Sequence, residues 1–260
     1  MPRPLLTLLL AAASLSMGCD PQPTQPSETA SDGGASPAFA PTEPTGAEFR
    51  YAPEFDPDNF VRNVDNRFFP LVPGTRYVSF GEEDGEQEKN VVVVTHDRKN
   101  ILGISAVVVL DQVFVGDEFD ELKEKTFDWF AQDRQGNVWY LGEDTKEFED
   151  GEVVSTEGSW EAGVQGARAG IIMPAHPEAG QHYRQELFRG EAEDEARVTG
   201  LGVEVTVPYG SFRGCIRTIE WTRLEPGITE AKWYCPGVGF VKARGIEGSD
   251  ARLVLKNVFD

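Results

Sequence analysis

The chain has 260 residues, with 44 acidic against 24 basic side chains and a formal net charge of −20. That balance argues against a basic face for nucleic acid or anionic lipid. No apolar run reaches the roughly 20 residues that a membrane-spanning helix needs.

Residues 1–18 compose an export signal. Arg3 supplies a positive start, Leu5 to Leu15 form the apolar run, and small residues lead to Gly18-Cys19. Gly18-Cys19 resembles the end of a bacterial lipobox, although Ser16 stands where Leu is usual. The competing reading is an ordinary secretory signal cut between residues 11 and 16. Lipidation of Cys19 is preferred, because a Cys seldom follows an apolar run and a small residue by chance. Several acyl chains of the palmitate class on Cys19 would anchor the protein stably where one would not. The membrane is then the expected partner, and the bacterial cell envelope, facing the periplasm or exterior, the expected location.

Residues 19–47 follow as a tether. They are rich in Pro, Ser and Thr and nearly devoid of large apolar side chains. Such a segment cannot bury enough surface to offset the entropy of ordering. The remaining 48–260 contain no second linker of this kind and read as one β-rich globular domain.

Within it, alternation and β-branched runs are punctuated by turn residues. Strands are expected at 75–80, 89–96, 104–115, 126–132, 137–141, 152–157, 183–188, 197–207, 214–223, 228–235, 240–244 and 253–258. The one helix candidate is Glu191–Val198. Strands joined by short turns imply an antiparallel sheet, and curling it removes exposed edges. The expected fold is therefore all-β: a single strongly curved sheet or barrel-like sandwich of about a dozen strands. Around the turn at Asp133–Gly136, the simplest register sets Trp129 near Tyr140 and Phe130 near Trp139, with aromatic groups on both faces.

Several blocks in the domain are distinctive: Val64-Asp65-Asn66-Arg67-Phe68-Phe69-Pro70-Leu71-Val72-Pro73-Gly74, Gly136-Asn137-Val138-Trp139-Tyr140-Leu141-Gly142-Glu143-Asp144-Thr145, Gly158-Ser159-Trp160-Glu161-Ala162-Gly163, Pro208-Tyr209-Gly210-Ser211-Phe212 and Pro236-Gly237-Val238-Gly239. Together they resemble a family of bacterial exported proteins and lipoproteins with no assigned function, over most of 60–245. The resemblance implies export and no activity. It also implies that neither His176 nor Cys235 belongs to a shared active site, and that the cysteine pair is an addition in this member.

Candidate chemistry is sparse. With Cys19 set aside for lipid, Cys215 and Cys235 remain, an even pair that suggests a disulfide in an oxidising compartment. If the hairpin turn centres on Glu225, residues whose numbers sum to 450 face each other, and Cys215 lies opposite Cys235. A two-residue Pro226-Gly227 turn would instead set Cys215 against Val238. His176 and His182, with Glu178 or Glu186, compose a candidate three-ligand zinc site, weighed against a Pro-rich surface loop that happens to hold histidine. The acidic runs at 82–84, 117–121 and 191–195 read as solvated turns, because no Asp-x-Asp-x-Asp-Gly calcium loop is present. Zinc and calcium are thus the only cofactors in view, and none is expected. Glu143, Asp144 and Glu161 near Trp139 and Trp160 form a candidate carboxylate set for glycan hydrolysis. No Gly-x-Ser-x-Gly elbow occurs. The leading expectation is a non-catalytic, lipid-anchored domain that binds a ligand or partner. The alternatives are the carboxylate-dependent hydrolase and a purely structural envelope lipoprotein.

Overall fold

The computed structural model describes residues 51–260. The export signal, Cys19 and the tether at 19–47 lie outside the described residues. A 3-10 turn at Pro57–Asn59, capped by the Asp56 side chain, leads into β1 (Phe60–Val61). A small hairpin follows, β2 (Val64–Asn66) and β3 (Phe69–Leu71). The long strands are β4 (Arg76–Glu83), β5 (Glu86–Ile101), β6 (Ile104–Val115), β7 (Glu121–Asp133) and β8 (Val138–Glu149). Short pieces come next: β9 (Glu152–Ser155), β10 (Trp160–Glu161), β11 (Arg168–Met173), β12 (His182–Arg184) and β13 (Glu186–Leu187). The chain ends with β14 (Asp194–Val207), β15 (Gly210–Thr222), β16 (Thr229–Cys235), β17 (Gly239–Glu247) and β18 (Arg252–Phe259).

The fold is all-β and antiparallel. The main sheet runs β12-β14-β15-β16-β17-β18-β4-β5-β6-β7-β8-β11-β13, while β2 and β3 form a sheet of their own. The two ends of that order, β12 and β13, are separated in the chain only by Gln185, so the sheet curls until its edges meet and nearly closes a barrel. Closure leaves few backbone donors exposed at an edge.

Period-2 alternation gives the wall two faces. Along β5, Glu88, Asn90, Val92 and Val94 are buried inward, while Lys89, Val91 and Val93 point out; the same alternation holds in β4, where Ser79 is buried. One end of the interior is apolar. Val94, Val107, Phe130, Tyr140 and Ile172 pack there beneath the β2–β3 hairpin, which inserts Val64, Phe68, Phe69 and Leu71. Phe69 meets Phe130 edge-on with centroids 5.2 Å apart. The hairpin is tied down by polar bonds: Gln132 Oε1 accepts from the Asp65 and Asn66 amides, and Asn66 Nδ2 donates to the Gly136 and Pro174 carbonyls.

Two expectations need correction. Residues 191–198 are not a helix: Phe188 and Ala192 close a turn, and β14 begins at Asp194, with Ala196 and Val198 fully buried on the inward face. Inward burial at every second residue prevails over the weak helical tendency of an acidic start. The β7–β8 hairpin is also displaced by one residue. Phe130 pairs with Tyr140 and Ala131 with Trp139, because the Asp133 amide bonds the Asn137 carbonyl and leaves Arg134, Gln135 and Gly136 as the loop; a further shift between Asp128 and Phe130 displaces the pairs beyond.

The β15–β16 register follows the expected sum: Ile216 faces Tyr234, Arg217 faces Trp233 and Glu220 faces Glu230. Cys215 and Cys235 are joined by a disulfide with Cα atoms 4.2 Å apart, across 20 positions of sequence. Both are fully buried beside Val205, Val207 and Val241. Replacing both cysteines by alanine is expected to cost about 3 kcal/mol, chiefly by freeing the unfolded chain. Urea unfolding of the double variant against the oxidised parent checks this; equal midpoints would count against it.

Candidate functional site

Beyond the apolar end, the interior is lined by acids. Glu88, Asp111, Glu124, Asp128, Glu143, Glu186, Glu220 and Glu230 are each less than a tenth exposed, as is Lys232, the one basic residue among them. Strand alternation places them: Glu124, Thr126 and Asp128 share one face of β7, and Glu220 and Glu230 are paired across β15 and β16. At β8 a bulge is needed. Gly142 holds φ +134°, and a Cβ there would lie 2.2 Å from the Trp160 carbonyl oxygen. This glycine lets Tyr140 and Glu143, three residues apart, both turn inward, and lets β10 pair closely against β8.

Hydrogen bonds connect the acids to neutral donors. Tyr140 donates its hydroxyl to Asp128 Oδ1 at 2.8 Å, and Trp160 Nε1 donates to Glu186 Oε2 at 2.9 Å. Thr145 donates to Glu143 Oε2, and Thr126 to Glu124 Oε1. Asn90 donates to Asp111. Tyr234 and Thr218 both donate to Glu220 Oε1, while Lys232 Nζ lies 3.0 Å from Glu220 Oε2. Asp128 Oδ2, Glu143 Oε1, Glu186 Oε1, Asp194 Oδ1 and Glu230 Oε1 are buried and meet no partner among the described residues.

Burial without counter-charge shifts these groups upward. Desolvation, with the charge of Asp128 added, raises Asp111 to about 8. Desolvation raises Asp128 to about 7 against the opposing Tyr140 bond, and Glu88 to about 7 with help from Asp111. Glu230 and Asp194 also reach about 7, again by desolvation, with Lys232 partly offsetting it. Glu143 and Glu186 are pushed well above the carboxylate range by burial, Glu143 further by the Glu186 charge and Glu186 by that of Asp194. Glu220 goes the other way: burial opposes its charge, but Lys232, Thr218 and Gln185 outweigh it and hold its pKa below the ordinary value. The interior thus holds carboxyls that keep their protons to higher pH than ordinary ones, with one carboxylate–ammonium pair among them.

The two regions meet at a cavity of about 50 Å³. Phe69, Phe240 and Leu255 form its apolar wall, and Asn90, Asp111 and Asp128 its polar floor. Room of that size fits a few water-sized groups, so a ligand of a few heavy atoms.

The sequence-based candidates are distributed differently. Glu143 points inward, whereas Asp144, the next residue, faces outward in an ion pair with Lys146 at 3.0 Å. Glu161 also lies outside, 2.8 Å from Lys99. The three carboxylates therefore do not converge. His182 stacks on Trp221 and bonds Glu195, which also holds Arg184 and Arg223. His176 and Glu178 are exposed in the loop before β12. Among the described residues no group of three or more His, Cys, Asp or Glu is arranged to hold a metal ion. Of the inward acids only Glu143 and Glu186 stand out in the sequence; the others are hidden because period 2 does not tell which face of a strand is wet. The usable signal was Leu110-Asp111 and Phe127-Asp128-Trp129, acids in strands whose other face is already apolar.

No family model and no curated protein matches the chain. Two solved structures resemble it. One is a protein designated as exported, with a YmcC-like fold, from Bacteroides fragilis: 15% identical, covering 75% of this chain and 100% of its own, with TM-score 0.45. The other is a protein designated a lipoprotein from Parabacteroides distasonis: 13% identical, covering 75% of this chain and 99% of its own, with TM-score 0.36.

Proposed function

We propose that this protein is a non-catalytic binding module of the bacterial envelope, lipid-anchored through Cys19 and held off the bilayer by residues 19–47. Its ligand site is the barrel interior, and its ligand is a small organic cation of the alkylammonium class. The observation that carries this reading is the cavity whose floor is Asp111 and Asp128, with an unpartnered Asp128 oxygen. A carboxyl in such a place keeps its proton to higher pH than usual while the site is empty. A cation that enters restores the charged form by direct pairing and displaces a proton. The apolar wall from Phe69 and Phe240 suits the alkyl part, and the β2–β3 hairpin above it is the natural point of entry.

Enclosure speaks against turnover of a polymer. The inward acids are each less than a tenth exposed, and a glycan chain needs an open cleft between its two carboxyls.

Methylammonium chloride is the probe. At about ten times its dissociation constant it should stabilise the domain by about 1.4 kcal/mol, raising the melting temperature by roughly 3–5 °C. Sodium chloride at equal ionic strength and methanol at equal concentration should not. Asp128→Asn should abolish the shift. Equal shifts with methanol, or a shift retained in Asp128→Asn, would refute the cation site.

A further inference from the structure

The outer wall bears the ion pairs Asp144–Lys146, Glu161–Lys99 and Glu82–Arg252, and beside them cations of another kind. On the face of β18, β4, β5, β6 and β7, the register aligns Phe259 with Arg76, Phe80 with Lys89, and Lys89 with Phe114. Cations lie over aromatic rings throughout. Arg76 sits 4.5 Å from the Phe259 centroid, Lys256 4.5 Å from Phe80, Lys89 5.3 Å from Phe114 and Lys125 4.9 Å from Phe127. Among the described residues none of these four cations has a carboxylate partner, in a chain with 44 acids to 24 bases. Between them Val78, Val91, Val93 and Leu110 are half-buried, and no further strand or helix among the described residues covers them.

We propose that this wall is a docking face for an anionic lipid surface. Half-buried aliphatic groups, aromatic rings and lysine stems that carry their charge outward are what the water–bilayer boundary accommodates. Each cation near such a surface strengthens binding about fivefold, the equivalent of about 1 kcal/mol. The net charge of −20 conceals this face, which borders the acidic run at 117–121: Phe119 of that run lies 5.3 Å from Phe80. The expectation from summed charge, that no basic face exists, holds for the total and not for this wall. The proposal is independent of the interior ligand and of the acyl anchor.

The test uses the exported chain with Cys19→Ala, so that no acyl chain contributes. It is sedimented with vesicles of equal parts phosphatidylglycerol and phosphatidylcholine, and with vesicles of phosphatidylcholine alone. Binding to the anionic vesicles only, weakened by added salt, is expected. Lys89→Glu with Lys125→Glu should weaken it at least tenfold, and exposed Lys256→Glu alone should weaken it several-fold, which keeps the test decisive if the double variant fails to fold. No sedimentation, equal sedimentation with both vesicle types, or binding unchanged in a folded variant would overturn the proposal. A dimer in solution that the charge reversals dissolve would overturn it too, and would assign the face to a second copy.

Discussion

Raising the pH from 5 to 8 is expected to destabilise the domain on the order of 5 kcal/mol and to lower its melting temperature by about 10–20 °C. The sign follows from the interior acids. Glu88, Asp128, Asp194 and Glu230 titrate near 7 in the folded protein and Asp111 near 8, all above their ordinary values. A group whose folded pKa is raised contributes stability below its unfolded pKa, and that contribution is lost as the pH climbs through the folded value. The window therefore opens above about 4 and closes near 8. Each carboxyl alone is worth about 1.4 kcal/mol per pH unit across it. The total is set below the simple sum because the raised values share the same mutual repulsions, which a sum would count more than once. Thermal unfolding at constant ionic strength checks this. A melting temperature that is flat or rises between pH 5 and 8 would contradict it, and Asp128→Asn should flatten the profile.

Lys232→Met is expected to be among the most damaging single substitutions, costing about 3–5 kcal/mol at pH 7. Lys232 and Glu220 are both nearly sealed from water, with Nζ 3.0 Å from Oε2. Methionine keeps most of the volume but leaves Glu220 as a buried charge without its counter-charge. It also removes the cation that holds down Glu230 and Asp194. The loss should shrink at pH 5, where Glu220 can take up a proton, and Lys232→Met with Glu220→Gln should recover much of it. Urea unfolding of the three variants at both pH values measures this. A single variant as stable as the parent at pH 7, or a double variant no better than the single, would show that the pair does not act as described.

Local signals carried much of the fold. Ile104–Val115 is a strand over the expected residues, because an unbroken β-branched run bounded by Gly103 and Gly116 has little else to do. The Cys215–Cys235 register was legible from turn chemistry, since a two-residue type II turn would splay the strands. Closure was not. It depends on β12 and β13, five residues in all, which meet opposite ends of the sheet from neighbouring positions in the chain. No short-range pattern encodes such a contact. Nor was the acidic interior legible: period 2 tells which residues share a face, but not whether that face is wet. The bulge at Gly142 shows the same limit, since one extra residue turns Glu143 inward and leaves Asp144 outside.

In the proposed site the interior carboxyls hold protons that a cationic ligand displaces. Calorimetric titration of methylammonium at pH 7, repeated in buffers of different ionisation enthalpy, counts those protons directly. Binding is expected to release protons, in a number that falls towards zero above pH 9, and Asp128→Asn should remove both the heat and the release. Binding without proton release at pH 7, in the parent protein, would contradict it.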